Sequence, residues 1–180
     1  MKTSRSLVSL AVLALVFCGV TAAQSTKPAE APAKESVLKA AEVGTKLFPD
    51  KVFFRGQVAP VQARNTAGVR YADGFLVLAG LVDNSGYSSG LREKYQAYLI
   101  TEVSLEIGGQ TLKPGAYGVG FLDADKFVAM DLGANDVFTV GSKKDADIKH
   151  PVPLQVLASA DAGSYRLYKG RDFVEFHRAK

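Results

Sequence analysis

Gly86-Tyr87-Ser88-Ser89-Gly90 matches the spacing G-x-S-x-G. In α/β-hydrolases that spacing sets a serine on a strained strand-to-helix turn, where nearby backbone N–H groups can hold an oxyanion. Part of the setting is present. An apolar run, Phe75 to Asp83, precedes the pattern, and Leu91 to Tyr98 can form a helix. The parallel βαβ units of such a fold are not visible, and only His150 and His177 could act as base. The five residues therefore read first as a glycine- and serine-rich loop. A small secreted serine hydrolase using Ser88 stands last among the alternatives.

The same two histidines decide the metal question. Zinc needs three or four nitrogen, sulfur or carboxylate ligands, and no H-x-x-x-H or H-E-x-x-H spacing occurs. His150 precedes Pro151 in a loop, and His177 ends the last strand. Asp123-Ala124-Asp125 begins like a calcium loop, but Lys126 and Phe127 do not continue it. No metal and no cofactor are expected.

The segment Asp83 to Tyr98 is the strongest binding candidate. It gathers Asp83, Tyr87, Ser88, Arg92 and Tyr95 among flexible glycines, and loops on a rigid sheet are where binding residues concentrate. Tyrosine offers a ring and a hydroxyl, and arginine pairs with carboxylates or stacks. The competing reading is a solvated loop with tyrosines tucked into the core. A second feature is the face made by Ala116, Gly118 and Gly120, opposite Tyr117, Val119 and Phe121. So bare a face lets a ring, a backbone or a ligand come close, and packing under a neighbouring aromatic is the default.

These residues must be carried by strands. Val103, Leu105 and Ile107 alternate with Ser104, Glu106 and Gly108, the period of a half-buried strand. Gly108-Gly109 suits a two-residue hairpin turn, and Lys113-Pro114-Gly115-Ala116 has the composition of a type II turn. Further strands are read at Val52–Gln57, Gly68–Tyr71, Phe75–Asp83, Gln96–Thr101, Tyr117–Phe121, Phe127–Leu132, Val137–Gly141, Leu154–Ala158, Tyr165–Tyr168 and Phe173–His177. Lys169-Gly170-Arg171 closes the last hairpin. Phe75 to Val82 is apolar on both faces and belongs in the middle of a sheet. Ser36 to Phe48 reads as a short helix stopped by Pro49 and weakened by Gly44. Lys143-Lys144, followed by Asp145 and Asp147, reads as a solvated loop. The fold class is all-β: a single antiparallel β-sandwich or barrel of about nine short strands, preceded by a short helix.

Ile107 to Tyr117 contains Leu112, Gly115 and Tyr117 in the order L-x-x-G-x-Y. This stretch resembles a hairpin of small exported bacterial β-rich domains of unknown function, over about Val103 to Asp131. The resemblance implies export and an all-β fold. That family has no assigned chemistry, so no catalytic residue is carried over.

The start of the chain supports export. Lys2 and Arg5 precede an apolar run from Leu7 to Val20, and Thr21-Ala22-Ala23 supplies small residues before polar Gln24. This is the pattern of a signal peptide cut after Ala23. Residues 24–34 form a proline-containing, charged tether, and residues 35–180 form one β-rich domain. Cys18 is the single cysteine and lies in the leader, so the exported chain relies on its apolar core. Loss of Lys2 and Arg5 lowers the formal charge of +4 by two. The remainder is too small and scattered to imply nucleic acid, and no stable membrane span is expected after cleavage.

The preferred reading is a secreted or periplasmic, non-enzymatic β-sandwich for binding or envelope support. Its partner is an unidentified protein, glycan or small apolar ligand. The alternative is a β-barrel carrier of a small apolar ligand.

Overall fold

The computed structural model describes residues 34–180. The expected leader and residues 24–33 of the tether lie outside them. Strand β1 (Ser36–Leu38) leads into helix α1 (Ala40–Leu47), and β2 (Lys51–Phe54) turns into the long β3 (Gln57–Arg70). Next come β4 (Leu76–Val82), α2 (Ser89–Lys94), β5 (Ala97–Thr101), β6 (Leu105–Ile107), β7 (Gln110–Leu112) and β8 (Gly115–Leu122). The chain ends with β9 (Lys126–Met130), β10 (Asp136–Gly141), β11 (Lys143–Lys144), β12 (Gln155–Ala158), β13 (Ser164–Lys169) and β14 (Asp172–Arg178).

The strands form two antiparallel sheets. The first has the order β1-β3-β4-β5-β8-β9-β10, with β2 paired to the start of β3. The second has the order β12-β13-β14-β6-β7, with β11 paired to β14. Over the described residues neither sheet closes into a barrel. The arrangement is β-sandwich-like. Val69, Val77, Leu99, Val119 and Phe127 of the first sheet share one buried cluster with Ile107, Val156, Leu167, Val174 and Phe176 of the second.

A second core lies on the other face of the first sheet. Leu78, Tyr98, Val128 and Met130 meet Val43 of α1, Val52 and Phe54 of β2, and Leu91 of α2. The first sheet is therefore covered on both sides, which is why β4 is apolar at successive positions. It runs between β3 and β5, in the middle as expected. The bare face of β8 is also explained by packing. A Cβ on Gly118 would stand 2.5 Å from the Phe54 ring, and one on Gly120 would stand 2.1 Å from the Lys94 carbonyl oxygen.

Several local expectations are corrected. Val52–Gln57 is not one strand, because Arg55 (φ 45°) and Gly56 (φ 78°) turn the chain between β2 and β3. Positive φ at both central residues gives the twist that a two-residue hairpin needs. The expected helix begins only at Ala40, because residues 36–38 pair with the end of β3. It is kinked at Gly44, where a Cβ would crowd the Ala63 carbonyl at 3.0 Å. Lys143-Lys144 is a two-residue strand, with Lys144 Nζ 3.5 Å from Asp125. The second helix ends at Lys94, and residues from Ala97 onward join the sheet. The described residues hold fourteen strand segments where about nine are expected.

The Gly108-Gly109 turn forms as read, with φ of 56° and 79°. The segment after it does not form a type II turn. The β6–β7 hairpin belongs to the second sheet, and β8 returns to the first. The chain must cross between sheets rather than reverse. Gly115 is accordingly extended (φ 158°) and pairs with Thr101. The Tyr117 ring lies against Gly115, and its hydroxyl donates to the Lys113 carbonyl at 2.9 Å, bracing the crossover.

Candidate functional site

The loop from Asp83 to Tyr98 is held by its own backbone. Asn84 Nδ2 donates to the carbonyls of Arg92 (3.0 Å) and Tyr95 (2.5 Å), satisfying acceptors that the end of α2 leaves open. Asp83 is exposed. It accepts the Ser85 N–H at 3.1 Å, and bonds from Ser85 hold its carboxyl below the usual range. Gln96 ties the far end down, donating to the Glu93 and Phe121 carbonyls and accepting the Phe121 N–H.

The five residues singled out from the sequence divide into two groups. Tyr87 and Tyr95 are buried, with ring centroids 5.2 Å apart, and both pack on Phe54. Tyr87 donates its hydroxyl to the Phe54 carbonyl at 3.0 Å. Tyr95 stacks on Phe54 at 3.9 Å, and its buried hydroxyl has no hydrogen-bond partner. Asp83, Ser88 and Arg92 are exposed. The structure does not bring these three together with the tyrosines on one accessible surface. The depression beside α2, about 390 Å³, is lined by Gly90, Glu93, Lys94, Asp123, Lys126 and their neighbours, and by none of the five.

Ser88 stands immediately before α2 with φ −60° and ψ 154°, an ordinary extended conformation. A nucleophile elbow depends on strain at that residue. His177 faces Glu106 at 3.5 Å on β14, and His150 is exposed in the loop before β12. Neither imidazole hydrogen-bonds Ser88. Among the described residues no three His, Cys, Asp or Glu side chains converge as a metal site would require.

Two larger depressions remain. One, of about 520 Å³, lies among Tyr71, Asp73, Ser164, His177 and Arg178. Its polar groups largely satisfy one another. Arg178 pairs with Asp73 and lies over the rings of Tyr71 and Phe75, and Tyr165 donates to Glu35 at 2.5 Å. The Tyr71 hydroxyl alone is buried without a partner, and burial together with the Glu35 charge pushes its phenol up to about 12.

The other is a groove of about 560 Å³ along the seam where β12 of the second sheet approaches β1 and β3 of the first. One wall is β1 with the start of α1: Val37, Leu38, Lys39 and Ala40. The floor is the irregular middle of β3, and the facing wall runs from Val152 through β12 to Ala158. The irregularity has a plain cause. Val61 pairs with Val82 and Thr66 with Gly80, so residues 62–65 oppose Leu81 alone and bulge from the sheet. Both walls are edge strands. Val152 and Leu157 stay 43% and 39% exposed, so both leave apolar surface along the groove. No motif marks the groove, since its residues come from three distant stretches.

Compared with protein-family models, with curated proteins and with solved structures, the chain matches none.

Proposed function

We propose that this chain is an exported, non-enzymatic binding domain, a single β-sandwich, and that it holds an apolar ligand in the surface groove along β1 and β12. One observation carries the reading. The space between the sheets is filled, with voids of about 10 Å³, while the groove along the seam of β1, β3 and β12 offers about 560 Å³ lined mainly by apolar groups. A void of about 10 Å³ holds one water at most, whereas ligand sites span roughly 300–1,000 Å³. A carrier with its cargo inside a barrel has no room here; a carrier using its edge does.

Binding is favoured over hydrolysis by the relaxed backbone at Ser88 and the separate surroundings of both histidines. Export rests on the leader-like residues 1–23 and on the resemblance of the Leu112–Tyr117 segment to exported bacterial domains.

The neutral apolar dye N-phenyl-1-naphthylamine tests the site. Its fluorescence is expected to rise with the native chain and to fall back in Leu157→Asp and Val152→Asp, while Arg92→Ala behaves like the native chain. Loss in Arg92→Ala with no loss in the two groove variants would return the site to the 83–98 loop.

A further inference from the structure

The groove has a charge pattern as well as an apolar wall. Lys39 and Arg64 are its only charged lining residues, one at the start of α1 and one in the β3 bulge, and both are exposed. The ion pairs among the described residues all involve other groups. Glu42, the acid nearest Lys39 in sequence, turns its carboxylate to the Lys39 backbone N–H at 3.0 Å. The contrast with the depression around Arg178 is physical. There the arginine already has its carboxylate, and here two cations border apolar surface without one.

Resting on the groove reading above, we infer that the occupant is a single-chain amphiphile with an anionic head, a long-chain carboxylate, its tail against Val152, Leu157 and the half-buried Val37 and its head toward Lys39 and Arg64. The tail contributes through removal of apolar surface from water, the head through charge-assisted hydrogen bonds. Both cations keep access to solvent, so the head's share weakens as salt rises.

The test uses 11-(dansylamino)undecanoic acid and its methyl ester, which share tail and fluorophore and differ in head charge. At low salt the acid is expected to bind the native chain about tenfold more tightly than the ester, the yield of two partly exposed charge contacts. The gap closes in Lys39→Gln/Arg64→Gln and narrows in high salt, and palmitate displaces the probe. Both cations are exposed, so the variant keeps its fold, which circular dichroism checks. Equal binding of acid and ester would overturn the anionic head and leave the groove reading standing. Binding of neither, together with failure of the neutral dye, would remove both. A dimer in sedimentation that Leu157→Asp breaks, with no probe uptake, would show a second copy in the groove and overturn the proposal. Displacement of the probe by an uncharged extended peptide but not by palmitate would also overturn it.

Discussion

Tyr87 and Tyr95 touch the same phenylalanine and should respond in opposite directions to loss of a hydroxyl. Tyr87→Phe removes a hydrogen bond and leaves the buried Phe54 carbonyl with one donor fewer. Tyr95→Phe removes a buried hydroxyl that has no partner. Urea unfolding is expected to show a loss of about 1 kcal/mol for the first and a gain of about 1 kcal/mol for the second, because an unsatisfied buried group costs its desolvation. The same burial makes stability depend on alkaline pH. Burial holds Tyr71 at about 12 and pushes Tyr95 higher still. In the unfolded chain both ionise near ~10. Above that pH the unfolded chain sheds protons that the fold retains. The stabilisation is therefore full below about pH 10; Tyr71's share is lost as pH climbs through about 12, and Tyr95's falls over a wider alkaline range. The urea midpoint should be level from neutral pH to about 9 and then decline, with a shallower decline in Tyr71→Phe/Tyr95→Phe. An equally steep decline in that variant would place the alkaline sensitivity elsewhere.

At the scale of elements, α2 is pinned to β8 by the absence of a side chain. A Cβ at Gly120 would meet the Lys94 carbonyl at 2.1 Å, and backbone cannot yield as a side-chain tip can. Gly120→Ala is expected to cost about 2 kcal/mol or more and to lower the melting temperature. Gly90, inside α2, has open space around its Cβ position, so Gly90→Ala should stabilise by about 0.5–1 kcal/mol through helix propensity. Equal effects of the two substitutions would contradict this packing. The contrast also shows what is legible in the sequence. Strands such as β8 and β14 announce themselves by period-two patterning and glycine turns, and β4 by a short run apolar on both faces. The break between β2 and β3 is hidden because Arg55, not a glycine, takes one of the two positive φ values. β11 is hidden because two lysines become a strand only through pairing with β14, far along the chain. The bare face of β8 is visible in advance, and its default reading, close approach of an aromatic, is what Phe54 and Tyr95 supply.

For the whole molecule, the space between the sheets is filled, and the groove along the seam of β1, β3 and β12 is out of reach of any local pattern. Residues 37–40, 64–67 and 152–158 meet only when both edge strands are in place. The 83–98 loop looked richer because polar and aromatic residues crowd it in sequence. In the fold its tyrosines are spent on the second core, and its exposed members stand apart. The proposed export makes its own prediction: by intact mass, the protein recovered from outside the cytoplasm should begin at Gln24, and a chain still beginning at Met1 would contradict a cut leader. The most direct measurement is an amide-resolved NMR titration of the chain with palmitate. Shifts are expected at residues 37–40, 64–67, 152 and 154–158, with Tyr87, Ser88 and Arg92 unmoved. Shifts concentrated at residues 83–98, or none at saturating ligand, would contradict binding in the groove along β1 and β12.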